Sequence, residues 1–98
     1  MTGLTLSDRW WRPGDDDALR AELSREIRRG HPLHRRIERV EARFDATDDL
    51  LVRLGDGGYA LVHPTWSGRR ERAPFPLCRL LGDAGAASAA IAEWEAER

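Results

Sequence analysis

The sequence predicts an α+β fold: an N-terminal helix, an antiparallel three-stranded meander that a short fourth strand would extend, and a C-terminal helix. Three observations carry this. The stretch Asp48–Trp66, DDLLVRLGDGGYALVHPTW, alternates apolar and polar residues on both sides of a glycine-rich turn. Leu19, Leu23 and Ile27 recur at the spacing of one helix face, and Ala87, Ala90, Ile91 and Trp94 do the same near the C-terminus. At 98 residues the chain suits one α+β domain over 1–98 with a modest core of its own.

Leu4 and Leu6 alternate ahead of Trp10-Trp11, a pair expected to close one end of the core, and Pro13-Gly14 then breaks the chain. Asp15, Asp16 and Asp17 open the first helix, expected over 16–29. Carboxylates there accept from free amides and favour the positive end of the helix dipole. Three adjacent aspartates point in different directions, which argues for capping and against a metal site. Arg28 and Arg29, followed by Gly30, mark the helix end.

An irregular strand is expected over about 34–45. Its apolar parity changes between Ile37 and Val40, and a bulge near Glu38 or Arg39 would restore one buried face. Asp45–Asp48 compose a turn. Leu50, Val52 and Leu54 form the buried face of the next strand, and Gly55-Asp56-Gly57-Gly58 closes the hairpin. A two-residue type I′ turn at Asp-Gly pairs Leu54 with Tyr59, Val52 with Leu61 and Leu50 with His63. A three-residue loop with a bulge flips the third strand instead. Either register leaves apolar residues, Leu51 among them, on a second face. That face is then covered by the C-terminal part of the chain or presented to a partner. Pro64 ends the third strand, since proline has no amide for the ladder. Residues 67–74, SGRRERAP, read as an exposed loop, Cys78–Leu81 as the short fourth strand, and 84–97 as the last helix.

A net charge of -1 argues against binding nucleic acid by bulk charge. All 16 basic residues are arginine. The codon usage of a GC-rich genome explains that along the whole chain, whereas selection for bidentate contacts to carboxylate or phosphate would explain only a patch. Cys78 is the one cysteine, so no internal disulfide forms and a reducing compartment fits. No secretory signal pattern and no run of roughly 20 apolar residues is present, so a cytoplasmic location and no membrane partner are expected.

Several constellations bear on chemistry. His31, His34 and His63 with Cys78 lack the spacing of a zinc site, so no metal and no cofactor is expected. His63 and Cys78 have the residue types of an imidazole–thiolate pair that Asp48 or Asp49 would orient, but the apolar context PFPLCRLL favours an inert core thiol. Gly55-x-Gly57-Gly58 lies between strands and is no phosphate cradle. From Arg20 to Arg43 there are eight arginines and four glutamates, the alternation of a solvated face. Trp10, Trp11, Trp66 and Phe75 serve equally as groove or as core bulk, with Trp66 and Trp94 expected in the core.

The strand Asp56–Trp66, in the pattern Asp-Gly-x-x-Ala-x-Val-His-x-Thr-Trp, resembles one found in small uncharacterised bacterial proteins of about this length. Gly30-His31-Pro32-Leu33 and the aromatic-proline step Phe75-Pro76 are similar too. Pro64 stands where that pattern has leucine. The resemblance implies a fold of this kind and no chemistry, because the family carries no established activity.

The function expected is a small cytoplasmic protein-binding module without catalysis, such as an immunity or antitoxin-like protein, with a protein partner or self-association. The candidate interaction residues are His63, Trp66, Arg53, Arg39, Arg43 and Trp11. The alternatives are a small hydrolase or nuclease using His63 with His31 or His34, and a nucleic-acid-binding module using the Arg35–Arg43 strand.

Overall fold

The computed structural model describes residues 3–98. In chain order they form β1 (Trp10–Trp11), α1 (Asp16–Glu26), β2 (Ile37–Phe44), β3 (Leu50–Leu54), β4 (Tyr59–His63), β5 (Leu77–Gly82) and α2 (Ala84–Glu95). The strands make one antiparallel sheet in the order β1-β2-β3-β4-β5. This is the expected α+β class with five strands instead of three or four. The added strand is β1, whose tryptophans lie opposite Phe44 and Arg43. No helix is long and apolar enough to cross a membrane among the described residues.

The sheet lies between the two helices. Leu19 and Leu23 of α1, with Ile27 just past its end, pack on Val40, Leu50, Val52, Ala60 and Val62. On the opposite face Ala87 and Ile91 of α2 pack with Trp10, Phe44, Leu51 and Leu61. The consecutive Leu50, Leu51 and Val52 are each 0% exposed, so β3 is buried on both sides. The second apolar face of the hairpin is thus covered by the C-terminal helix and is not open to a partner.

The hairpin does not adopt the type I′ register. Leu54 N donates to Gly58 O at 2.8 Å, Gly57 N donates to Leu54 O at 3.0 Å, and Gly57 has φ +90°. That is a three-residue loop with a glycine bulge. It places Leu50 opposite Val62, Leu51 opposite Leu61 and Val52 opposite Ala60. The physical reason is the sorting of β4 between two cores. Ala60 and Val62 go under α1, Leu61 goes under α2, and His63 is spared a place opposite buried Leu50.

β2 carries two register shifts, one between Ile37 and Arg39 and one between Val40 and Ala42. The first keeps Ile37 and Val40 on the α1 side, as the parity change predicts. The second sends Ala42 and Phe44 to the α2 side. The strand therefore serves both cores in turn, not one face throughout. It starts at Ile37 because His31–Arg36 form tight turns, with His34 N on His31 O and Arg36 N on Leu33 O, each at 3.0 Å.

α1 ends at Glu26, short of residue 29, because Ile27 turns to an extended backbone. Asp15 makes no side-chain cap. Instead Asp16 Oδ1 accepts from Val40 N at 2.7 Å, tying the helix start to the second bulge of β2. α2 is capped by Asp83, which accepts from Ala86 N at 2.9 Å.

Candidate functional site

The two N-terminal tryptophans divide. Trp10 enters the α2-side core, 4.9 Å from the Phe44 ring and 5.8 Å from Trp94, and its Nε1 donates to Glu95 Oε1 at 2.8 Å. Trp11 points to the other face and is 46% exposed. Because β1 and β2 are antiparallel, Trp11 lies directly opposite Arg43. The Arg43 guanidinium sits 5.6 Å from the Trp11 ring and 5.1 Å from the Trp66 ring. It therefore lies within reach of two indole rings, a favourable place for a cation. Asp48 accepts from its Nε at 3.1 Å and lies 3.0 Å from its Nη2.

Trp66 is 42% exposed, which corrects its expected place in the core. Its backbone is left-handed, φ +59°, a conformation costly for a bulky residue. The loop is held there from below. Glu26, 0% exposed on α1, accepts from Thr65 N at 2.8 Å and from Trp66 N at 2.9 Å. One turn earlier, Glu22 accepts from Gly68 N at 2.9 Å and from Arg25 at 3.0 Å. Glu71 N donates to the Glu26 carbonyl at 2.9 Å. Residues 65–71 thus follow the end of α1 as a strap, and the loop over 67–74, exposed as expected, is tethered in its first half.

The two glutamates titrate against each other. Burial, and then the neighbouring Glu22, push the Glu26 carboxyl above its usual range. The hydrogen bond with Glu26 pulls Glu22 below its own, helped by the Gly68 amide and Arg25 against burial. Neither acid is among the residues singled out from the sequence. Their signal is an acid at positions 22 and 26 inside the apolar stripe of Leu19, Leu23 and Ile27.

Three of the six candidate interaction residues, Trp11, Arg43 and Trp66, are therefore brought together. Arg39 and Arg53 are not part of that contact. They face each other across β2 and β3, Arg39 bonded to Glu41 and Arg53 3.5 Å from Glu38. Arg36 pairs with Asp56 at 3.1 Å. Along residues 35–43, which the structure divides between a turn and β2, Arg36, Arg39 and Arg43 thus each already hold a carboxylate, which leaves little free charge for phosphates.

His63 sits elsewhere, on the α2 face of the sheet. Its Nδ1 is 2.8 Å from Oδ1 of buried Asp49, the next rung across β3 and β4, and Thr47 Oγ1 donates to Oδ2 of the same carboxylate. The imidazole is exposed in an open cleft of about 400 Å³ lined also by Leu77, Arg79, Trp94 and Arg98. Cys78 also borders this cleft, but among the described residues no hydrogen bond joins it to His63. Val62 lies opposite Cys78, and the thiol packs on the α1-side core, where burial pushes its pKa up. Nor do the other histidines pair with His63. His31 Nδ1 accepts from Leu33 N at 3.0 Å, so its Nε2 carries the proton and donates to Pro76 O at 2.8 Å. His34 lies in a separate depression with Ile27 and Leu33. The expected pairing of His63 with His31 or His34 is replaced by Asp49. Among the described residues no three His, Cys, Asp or Glu side chains converge to hold a metal ion.

Comparison of the chain with protein-family models, with curated proteins and with solved structures found no match in any of the three. The chain's own geometry is what speaks for function.

Proposed function

We propose that this chain is a protein-binding module whose docking surface is the Trp11–Arg43–Trp66 face. One observation carries the reading: a half-exposed tryptophan in a left-handed backbone is held beside Arg43 and Trp11 by a fully buried glutamate. Tryptophan and arginine dominate binding hot spots because they offer large rigid area and several directed donors. Fixing Trp66 before binding lowers the entropy lost on association. The complementary partner is a protein that lays an apolar edge on the indoles and brings a carboxylate to the donors of Arg43 not facing Asp48. An immunity- or antitoxin-like role belongs within this proposal. The test is gel filtration and pull-down with the wild type and with Trp66→Ala and Arg43→Ala. A captured protein, or self-association, that both variants lose supports the surface. A monomer with no copurifying protein, or capture that both variants retain, overturns it.

A second reading has its own observation, the Asp49–His63 pair. A carboxylate on Nδ1 orients the imidazole and leaves Nε2 in the cleft as a base for a water molecule, the arrangement a small hydrolase uses. Turnover of a phosphodiester or ester that His63→Ala abolishes and Trp66→Ala spares would favour it. Equal rates for the wild type and His63→Ala would reject it.

A further inference from the structure

A further cavity lies where the chain leaving α1 meets the segment before β5, beside the His63 cleft, with which it shares Leu77 and Cys78. Its volume is about 610 Å³, within the range of sites that hold small molecules. Its apolar lining includes Pro74, Phe75 and Leu77, and Phe75 and Leu77 are 44% and 47% exposed, an unusual outlay of apolar surface. Arg28, Arg29 and Arg70 line the same cavity, and no Asp or Glu does. Among the described residues none of these three arginines has a carboxylate partner, whereas Arg36, Arg39, Arg43 and Arg53 all do. The walls are also fixed before any ligand arrives. His31 donates to Pro76 O at 2.8 Å across the two segments, and Glu71 N donates to Glu26 O at 2.9 Å beside Arg70. Three free guanidinium groups over an apolar floor fit a ligand of two halves.

We propose that this cavity binds a small organic anion, an apolar body of ring size carrying a phosphate or carboxylate head. The body lies against Phe75 and Leu77, and the head is taken by Arg28, Arg29 and Arg70 through charge-assisted, bidentate hydrogen bonds. Neither half suffices alone. Free phosphate gains nothing from the floor, and a neutral ring leaves the guanidinium groups uncompensated.

The test titrates the full chain with 1-naphthyl phosphate, 1-naphthoate, inorganic phosphate and 1-naphthalenemethanol, following backbone amide shifts by NMR and affinity by calorimetry. Saturable shifts at Gly30, Phe75, Leu77 and Cys78 are expected for at least one naphthyl anion, and the tighter of the two identifies the head group. Inorganic phosphate and the alcohol should each bind at least about tenfold more weakly. Arg29→Gln and Arg70→Gln should each weaken the anion about tenfold. Both residues are exposed, so an unchanged melting temperature will show the fold intact. Inorganic phosphate binding as tightly as the naphthyl anions, both variants binding like the wild type, or shifts centred on Trp66 would overturn the assignment.

Discussion

Glu26 on α1 and Trp66, 40 residues later in the chain, are joined by a 2.9 Å hydrogen bond from the Trp66 amide to a carboxylate with no exposed surface. The second carboxylate oxygen takes the Thr65 amide at 2.8 Å. One buried acid therefore fixes both the strap and the indole it displays. Removing it leaves two backbone donors without partners, each costing about 1–3 kcal/mol where water is excluded. Water reaches part of this loop, so Glu26→Ala should lose about 2–4 kcal/mol in urea unfolding. Glu26→Gln should lose less, because its carbonyl still accepts one amide. Tryptophan emission should shift to the red in both. Unchanged stability and emission in Glu26→Ala would show that the strap is held by other contacts.

The same acid sets the sign of a pH effect. Its pKa in the fold is raised, so the native state holds that proton more tightly than the unfolded chain does. Stability should therefore rise as pH falls from neutral through the folded pKa, and this gain is complete near the unfolded value of 4.5. Glu22, Asp56 and Glu71 are shifted down and act oppositely, losing their contribution as pH falls below their ordinary carboxylate range. A stability maximum near that range is expected for the wild type. In Glu26→Gln the rise on its alkaline side should disappear while the acid-side fall remains. Denaturant midpoints measured across mildly acidic pH decide this.

The hairpin turn offers a local test. Gly57 sits at φ +90°, and a Cβ added there would have nothing within 4 Å, so a substitution meets a backbone cost and no clash. Gly57→Ala should cost about 1–2 kcal/mol, and Gly57→Asn less, since asparagine tolerates the left-handed region. Equal stability of glycine and alanine at 57 would mean that the loop relaxes to another turn.

Cys78 should be a poor nucleophile. Burial raises its pKa, so the thiolate fraction near neutral pH is below that of a free cysteine. Alkylation of the native chain should be slower than that of the urea-unfolded chain at the same pH. Faster alkylation of the native form would reveal an activating neighbour that the packing against Val62 does not provide.

How far the sequence discloses this follows from which residues act locally. The helix stripes and the alternation of Leu50, Val52 and Leu54 are set within a few residues of chain, and they match the structure, whereas the cap read at Asp15 does not form because Asp16 reaches across to Val40 N instead. The hairpin register is not local, because Gly55–Gly58 suits two loop lengths and only the sorting of Ala60, Leu61 and Val62 between two cores selects one. The strand at Trp10–Trp11 is only two residues long and exists through pairing with distant Phe44 and Arg43. Trp66 looks like core bulk until the buried partner that turns it outward is known, and that partner lies a whole meander away. Asp48 and Asp49 are both legible as neighbours for His63, and only the bulged register selects Asp49, by making it and His63 opposite rungs.

That last pair carries the sharpest chemical prediction. Asp49 Oδ1 lies 2.8 Å from His63 Nδ1, and Thr47 donates to the other oxygen, which fixes the carboxylate as an acceptor toward the ring. The neutral imidazole must then carry its proton on Nδ1 and present a bare Nε2 to the cleft. Nitrogen-15 spectra of the ring at alkaline pH should show this tautomer. In Asp49→Asn the new amide donates to Nδ1 instead, so the proton should move to Nε2 with the fold retained. Spectra with the proton on Nε2 in the wild type would mean that Asp49 does not orient the ring, and the hydrolytic reading of the cleft would lose its base.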